Sequence, residues 1–250
     1  MYAAELKKVF EVQRKISDIH PILKRTYPIV VVKGDELWIF EPEESKQTYK
    51  LAKTAKSKTP LPEGIRAAFP VEEYDYKMAC VVSDDVFESL RGYALIFHEF
   101  VHCYQFECCE LELKKSLEVF LEEQAKGNYS WELNYPFPYE KGEFQRAYAE
   151  FLSALERGDA EGVKKSRREL REHLTKKEYE YMVWQEWKEG LARFIENRIL
   201  RRLGLPENHY GLEKPWDRTL FYEGGARFIE FLTGGSPTDL RGLFKSMMEF

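Results

Sequence analysis

The stretch from Ala94 to Phe106 constrains the fold more than any other, because an unbroken helical periodicity there carries His98 and His102. Apolar residues recur around the two histidines at three- and four-residue spacing, which predicts a helix that is buried nearly all round. Positions i and i+4 lie on almost the same face of a helix, so both imidazoles can point at one ion. Buried ring nitrogens need polar partners, and a metal ion would supply them.

Glu99 completes the pattern H-E-x-x-H between these histidines. It lies about 100° round the helix from His98, and therefore beside a shared ion instead of on it. Zinc suits such a site, because a catalytic zinc takes three protein ligands and lowers the pKa of a water in the fourth position to about 7. We therefore predict Zn²⁺ held by His98 and His102, with Glu99 as general base; the alternative is two helical histidines that pack or face solvent.

A third ligand must come from farther along the chain, because two histidines do not complete a catalytic zinc site. Position 105 is Gln and position 108 is Cys, so the pattern does not continue as H-E-x-x-H-x-x-G-x-x-H and the metzincin class is excluded. We expect a carboxylate on another helix. The long helix predicted over 175–203 offers three candidates: Glu186, Glu189 and Glu196.

Two segments resemble the gluzincin group of zinc metallopeptidases, the thermolysin-like and peptidase-MA-like families. His98-Glu-Phe-Val-His-Cys-Tyr-Gln105 is similar to their H-E-x-x-H-x-x-Q form, and Glu189-Gly-Leu-Ala-Arg-Phe-Ile-Glu196 is similar to their E-G-L-A-x-[YF]-x-E form. The resemblance implies that Glu189 is the third ligand. Gly190 and Ala192 are small, which we expect to leave room for the motif helix beside this glutamate. Glu196 would then bond to a ligating histidine or to an arginine.

The segment Phe221-Tyr-Glu-Gly-Gly-Ala-Arg-Phe-Ile-Glu-Phe-Leu232 is similar to a helix near the end of the same families. There a tyrosine donates to the transition-state oxyanion, so the resemblance implies this role for Tyr222. His209 and Tyr210, in the preceding loop, are the alternatives. The chain departs from the family pattern at Arg193, where thermolysin-like enzymes carry an aspartate that orients the first histidine. It also has no Gly-x-Met-Glu-Asn segment, which argues against an aminopeptidase.

The pattern of elements predicts an α+β, mostly helical chain with a small N-terminal β-sheet and a helical C-terminal part, and the resemblance implies a zincin-like fold. We predict one catalytic domain over 1–250, with an N-terminal part over about 1–88 and a helical part over about 89–250. Further expectations are a hairpin from Ile29 to Phe40, an exposed mobile loop from Glu41 to Pro62, and a strand from Val71 to Val82. That strand is either an edge strand beside the metal, to which a peptide could add, or a sheet strand with no role in ligand binding.

A long motif helix, continuous or interrupted, is predicted from near Ser89 to Gly127, and other helices are expected downstream of it. An aromatic loop over 128–139 follows it, either lining a groove or packing over the core. The predicted helices then cover 143–157, 159–174, 175–203, 220–232 and 236–248. Capping signals mark the third at Thr175 and the last at Ser236.

The composition limits the classes of molecule that the protein is expected to bind. The formal net charge of −5 gives no reason to expect nucleic acid. No apolar run approaches the ~20 residues of a membrane span, and no signal peptide is visible, so a cytoplasmic protein is expected. The resemblance implies a hydrolase acting on a peptide or protein substrate, whose sequence and mode of cleavage it leaves open together with the oligomeric state. The alternative function is a catalytically inactive protein that keeps the fold and binds a peptide or partner.

Overall fold

The computed structural model describes residues 2–235 and 237–250 of the chain. Its strands are β1 Ile29–Lys33, β2 Glu36–Glu43, β3 Thr48–Lys56, β4 Arg66–Val71 and β5 Lys77–Ser83. Its α-helices are α1 Ala3–Ile16, α2 Leu90–Gln105, α3 Leu111–Lys115, α4 Glu118–Ala125, α5 Trp131–Asn134, α6 Gly142–Arg157, α7 Ala160–His173, α8 Lys176–Arg202, α9 Thr219–Thr233 and α10 Leu240–Glu249. The expected α+β, mostly helical class, with its small N-terminal sheet and helical C-terminal part, is confirmed.

The chain forms two compact units. The first comprises the residues up to Glu107 together with Ile195–Glu207, and the second comprises Cys108–Phe194 and Asn208–Phe250. Helix α8 is continuous through the change at Ile195, so it contributes residues to both units. These limits lie elsewhere than the expected boundary near residue 88, and a single catalytic domain stays a prediction. Within 2–235 and 237–250, no helix combines the length and the apolar character needed to cross a membrane.

The first unit holds a five-stranded sheet in the order β3-β2-β1-β5-β4. The predicted hairpin is confirmed: β1 and β2 pair antiparallel, with Lys33 opposite Glu36. Strand β1 pairs parallel with β5 on its other side. Residues 29–32 of β1 are all buried, because this central strand is covered on both faces. A run of Ile and Val without polar alternation is typical of such a strand.

The loop expected from Glu41 to Pro62 is wrong for most of its length. Strand β2 continues to Glu43, and β3 follows from Thr48 to Lys56. Of the nine residues of β3, only Tyr49 is buried, because β3 is an edge strand that presents most of its side chains to solvent. Lysines on an edge strand discourage pairing with other chains, and they also give the segment the composition of a loop.

The strand expected from Val71 to Val82 is not continuous: Val71 is the last residue of β4, and β5 begins only at Lys77. Residues 72–74 form a 3₁₀ turn, and Asp75 and Tyr76 adopt left-handed backbone conformations at φ 55° and 54°. Strand β5 begins after that turn and lies between β1 and β4, so the alternative of an edge strand there is wrong. The edges of the sheet are β3 and β4. A peptide could add to β4, but not to β5, whose two neighbours already use its backbone hydrogen bonds.

Helix α2 begins at Leu90, where the Ser89 side chain accepts a hydrogen bond from the Gly92 amide at 3.0 Å. The motif helix, expected to run from near Ser89 to Gly127 with or without a break, is interrupted. A π-helical turn follows at Phe106–Glu110, and α3 and α4 come after it as separate helices. The two histidines therefore lie on regular α-helix before the first irregularity.

The helices of the second unit begin close to where the sequence places them. The capping box of α8 is confirmed, since the Thr175 amide donates to the Glu178 carboxylate and the Glu178 amide donates to the Thr175 hydroxyl, at 2.7 and 3.3 Å. Helix α10 is capped by Asp239; the expected start at Ser236 lies outside the described residues. The aromatic loop contains the short helix α5 and packs partly over the core, with Trp131 buried and Tyr129 exposed.

Helices α8 and α9 cross at two glycines. A Cβ built on Gly190 would lie 2.7 Å from the Gly225 Cα, and a Cβ on Gly225 would lie 2.6 Å from the Glu186 Cα. The expectation that Gly190 makes room for the motif helix is therefore corrected: this glycine allows the backbone of α9 to approach. Real Cβ atoms do not come so close to backbone atoms, so neither position accepts a side chain without movement of a helix.

Gly225→Ala is expected to destabilise the protein by about 2–4 kcal/mol, because overpacking against the α8 backbone has no side chain that can yield. Gly142→Ala is the matched control. Its added Cβ would meet only the Arg146 side chain, at 3.5 Å, so alanine there should be neutral or stabilising by up to about 1 kcal/mol. Urea unfolding of the two variants measures the difference. Equal stabilities would show that helices α8 and α9 can move apart at little cost to accept a Cβ at Gly225.

Candidate metal centre

His98 and His102 converge on one point from adjacent turns of α2. Only 7% and 5% of their surfaces are exposed, and their Nε2 atoms lie 3.2 Å apart. Two nitrogens bound at about 2.0–2.1 Å to one tetrahedral zinc ion would lie about 3.3 Å apart. The observed Nε2–Nε2 distance of 3.2 Å is therefore close to the distance that such an ion requires.

The other ring nitrogen of each histidine is held by an oxygen. The His98 Nδ1 lies 2.9 Å from the Glu196 carboxylate, and the His102 Nδ1 lies 2.9 Å from the Gln105 side-chain oxygen. A carboxylate and an amide oxygen are hydrogen-bond acceptors, so both contacts fit an Nδ1–H donor on each ring. Each Nε2 then carries a lone pair, as a ligand nitrogen must. Two such imidazole nitrogens whose rings are oriented by hydrogen bonds are a donor set that fits a metal ion.

Glu189 is the carboxylate that joins these histidines. The nearest potential ligand atoms of His98, His102 and Glu189 all lie within 4.8 Å of one another, and this is the one such group among the described residues. Glu189 stands two turns before Glu196 on α8, so the two carboxylates lie on nearly the same face of one helix. Two imidazoles and one carboxylate are a ligand set typical of catalytic zinc.

Glu196 contacts a candidate metal ligand, His98, as its spacing from Glu189 predicts. It therefore orients a ligand and is not itself one of the three. In thermolysin-like enzymes that place belongs to an aspartate at the position of Arg193. Here Arg193 does something else: its Nη1 donates to the backbone oxygens of Asn208 and Tyr210, at 3.1 and 3.2 Å. It thereby fixes the loop before α9.

Glu186 is engaged elsewhere. It is completely buried, pairs with the Arg167 guanidinium at 2.7 and 3.1 Å, and accepts a hydrogen bond from the Tyr148 hydroxyl at 2.9 Å. Arg167 is buried too, and its guanidinium lies over the rings of Phe151 and Phe228. This pair links α7 with α8. The alternative that Glu186 replaces Glu189 as third ligand is not supported by these contacts.

Glu99 is 5% exposed and follows His98 directly on α2, as a general base beside the metal requires. The structural role of Gln105 was missed at the level of sequence, although the residue belongs to the H-E-x-x-H-x-x-Q form. The signal was present in the spacing: three residues after His102, one turn away, a side chain can reach the ring of that histidine.

Tyr222 lies on α9 one turn before Gly225, and therefore next to the point where α9 crosses α8 beside Glu189. Its hydroxyl accepts a hydrogen bond from the guanidinium of Arg218. Burial raises the pKa of the Tyr222 phenol well above its usual value, and the negative charge of Glu189 raises it further. The phenol therefore stays protonated and able to donate in neutral solution.

The alternatives to Tyr222 differ from each other. The His209 Nδ1 lies 2.9 Å from the buried Glu223 carboxylate, while more than half of the His209 side chain is exposed. Such a pair fixes the ring and leaves Nε2 directed elsewhere. Tyr210 is 70% exposed, and no described contact directs its hydroxyl. His209 thus remains a candidate donor on structural grounds, and Tyr210 is a weaker one.

Lys188, the residue next to Glu189, belongs to a network of four alternating charges. Lys188 contacts Glu110 and Glu132 at 3.0 and 2.7 Å, and Lys114 contacts the same two carboxylates at 3.1 and 2.5 Å. Burial would raise the pKa of the Glu132 carboxyl, but the two ammonium groups outweigh it and lower that pKa from 4.5 to about 2. The network fixes the α8 turn that carries Glu189.

Glu132→Gln should therefore lower the free energy of unfolding at pH 7 by about 3 kcal/mol, the equivalent of this pKa difference. Because the folded-state pKa is the lower one, the stabilisation is complete above the unfolded-state value of 4.5 and disappears as the pH falls towards 2. Urea unfolding between pH 7 and about pH 2.5 measures this. The wild-type protein should lose more stability over that range than the variant, and parallel curves would contradict the prediction.

No protein-family model matches the chain, and neither a curated protein nor a solved structure matches it. The gluzincin resemblance thus rests on the three motif segments.

Proposed function

We propose that the protein is a zinc metallopeptidase that hydrolyses peptide bonds. The observation that carries the proposal is the grouping of His98 and His102 with Glu189, in which the two histidine Nε2 atoms lie 3.2 Å apart, with Glu99 next to His98 in the helix. A structural zinc site would use four protein ligands and would need no neighbouring glutamate. The family resemblance supports the same conclusion, and so do the hydrogen bonds that the oxygens of Glu196 and Gln105 accept from the two histidines.

His98, His102 and Glu189 would hold the metal. When bound, zinc supplies a Lewis acid that polarises the scissile carbonyl group and lowers the pKa of a water molecule to about 7. Glu196 and Gln105 would leave each Nε2 able to bind the metal, because each would accept a hydrogen bond from the Nδ1–H of its histidine. Both histidines would then be able to bind the same ion through Nε2.

Glu99 would accept a proton from water as the nucleophile attacks, and would donate it to the leaving amine nitrogen as the C–N bond breaks. Tyr222 would donate its phenolic hydrogen to the carbonyl oxygen as negative charge develops there. His209 is the second candidate for this donation, because Glu223 fixes its ring. Comparing Tyr222→Phe with His209→Gln identifies the donor. The variant that removes the donor should lower kcat by about 10²–10³-fold with little change in KM, and the other variant should not.

The test of the function is metal content and peptide hydrolysis measured on the same preparation. Purified wild-type protein should contain about one zinc per chain and cleave an unstructured protein such as casein, and the chelator 1,10-phenanthroline should stop cleavage. His98→Ala should lose both. Bound zinc without any hydrolysis would favour the catalytically inactive binding protein. A wild-type protein without metal affinity would contradict the metallopeptidase function. The expected cytoplasmic location stays a prediction.

A further inference from the structure

The surroundings of Tyr222 contain a positive charge that the proposed mechanism does not use. Arg218 lies one turn before Tyr222, at the start of α9, is half-buried, and donates to the Tyr222 hydroxyl. Its guanidinium carbon also lies 5.6 Å from the centre of the Tyr222 ring. The guanidinium carbon of Arg193 lies 5.8 Å from the same centre. Two guanidinium groups thus border one phenol beside Glu189.

Arg193 and Arg218 differ in what they bind. Arg193 is buried and holds the backbone oxygens of Asn208 and Tyr210, as described above. Arg218 makes no ion pair with any carboxylate in the described parts of the chain. Its neighbour Asp217 accepts hydrogen bonds from the amide and hydroxyl of Thr219 instead, at 2.8 and 2.5 Å. One neutral phenol oxygen leaves most of the five N–H donors of a guanidinium for other groups.

A half-buried guanidinium without an anionic partner is unusual, because a partly desolvated charge is costly unless it is paired. Two other half-buried arginines have such partners, since Arg66 pairs with Asp85 and Arg227 pairs with Glu223, while the half-buried Arg91 donates to the backbone oxygen of Pro206. The fork of a guanidinium matches the two oxygens of a carboxylate, and the pair is strong when it is partly shielded from water. A ligand carboxylate would complete the set of charges around Arg218.

We propose that Arg218 binds a carboxylate of the substrate, so that the preferred substrates are peptides that carry a negative charge near the scissile bond. This specificity rests on the proposed peptidase function. The carboxylate is either the free C-terminus of a peptide or an aspartate or glutamate side chain. Arg218 would determine binding, while its hydrogen bond to Tyr222 joins substrate recognition to the candidate oxyanion donor.

The experiment uses three pools of N-acetylated random pentapeptides. One has free C-termini and lacks Asp and Glu, one is C-terminally amidated and lacks Asp and Glu, and one is amidated and contains a single Glu. Immobilised zinc-loaded Glu99→Gln protein captures peptides from each pool, and mass spectrometry quantifies them. This readout needs no hydrolysis. The same pools are then offered to the wild-type enzyme in solution, to measure cleavage.

Capture from at least one carboxylate-bearing pool should exceed capture from the neutral pool, and adding Arg218→Gln should reduce that ratio by about 10- to 100-fold. Whichever carboxylate pool is preferred identifies the source of the charge. Arg218→Lys should keep part of the preference. Lys214→Gln removes a positive charge from the same loop, where Lys214 is exposed and donates to Gln145, and should leave the ratio unchanged.

Equal capture of all three pools, both with Arg218 in place and after Arg218→Gln, would overturn the proposal. The proposal would also be overturned if the Arg218→Gln enzyme cleaved all three pools more slowly than the wild-type enzyme by the same factor. A residue that only positions Tyr222 acts on every substrate alike. Absence of cleavage combined with an Arg218-dependent preference in capture would refute the peptidase function and leave the carboxylate site standing. Thermal unfolding of each variant verifies that it folds.

Discussion

Glu99→Gln should retain zinc and lose peptide hydrolysis by about three to four orders of magnitude, because the substitution keeps the size of the side chain and removes only its ability to carry a proton. The variant should bind substrate as the wild-type protein does, so the loss should appear in kcat and not in KM. Stopped-time assays with casein and elemental analysis of the same sample measure the two quantities together.

Glu88→Gln is the matched control for Glu99→Gln. Glu88 is exposed and lies just before α2, so its substitution makes the same change of charge at the start of the same helix. It should leave both zinc content and activity unchanged. If Glu99→Gln keeps substantial activity on peptides, Glu99 is not the base, and the role of H-E-x-x-H in this chain is confined to binding metal.

The second large effect concerns the three glutamates of α8. Glu189→Gln should lower zinc affinity by more than about 100-fold, because a neutral amide is a poor replacement for a ligating carboxylate. Glu196→Gln should lower it by about 10–100-fold, the range for a residue that orients a ligating histidine. Glu186→Gln should leave zinc affinity nearly unchanged, because its carboxylate is occupied by Arg167 and Tyr148.

Protein stability separates the same variants in a different order. Glu186→Gln leaves the buried Arg167 charge without its partner, which typically costs about 3–5 kcal/mol of folding free energy. Zinc titrations are therefore made on protein whose circular dichroism shows that it is folded. A larger loss of affinity for Glu186→Gln or Glu196→Gln than for Glu189→Gln would move the third ligand to another position on α8.

The candidate site follows from the sequence because short-range helical geometry determines it. His98 and His102 share one helix, Glu189 and Glu196 share another, and fixed spacing places each pair on one face. The capping box at Thr175 could also be read from two side chains that contact each other's backbone. Contacts of this kind depend on a few neighbouring residues, so a single sequence contains them.

Features that depend on distant partners were not predictable in this way. Strand β3 was missed because its hydrogen bonds to β2 determine it, while its own side chains are mostly exposed and lysine-rich. The function of Gly190 was misassigned because only the fold shows which helix approaches it. The partner of Arg193 could not be assigned from the sequence for the same reason, because every residue has a backbone oxygen and the side-chain pattern does not show which of them accepts.

Helix α8 limits how the chain can vary in length. A straight helix of its 27 residues spans about 40 Å, and each residue advances the side-chain direction by about 100°. One residue inserted between Glu189 and Glu196 would turn one carboxylate away from the histidines while the other stays in place. Insertions between β3 and β4 would change neither direction. Length differences among proteins descended from a common ancestor with this chain should therefore collect in such loops and be excluded from the interval between these two glutamates.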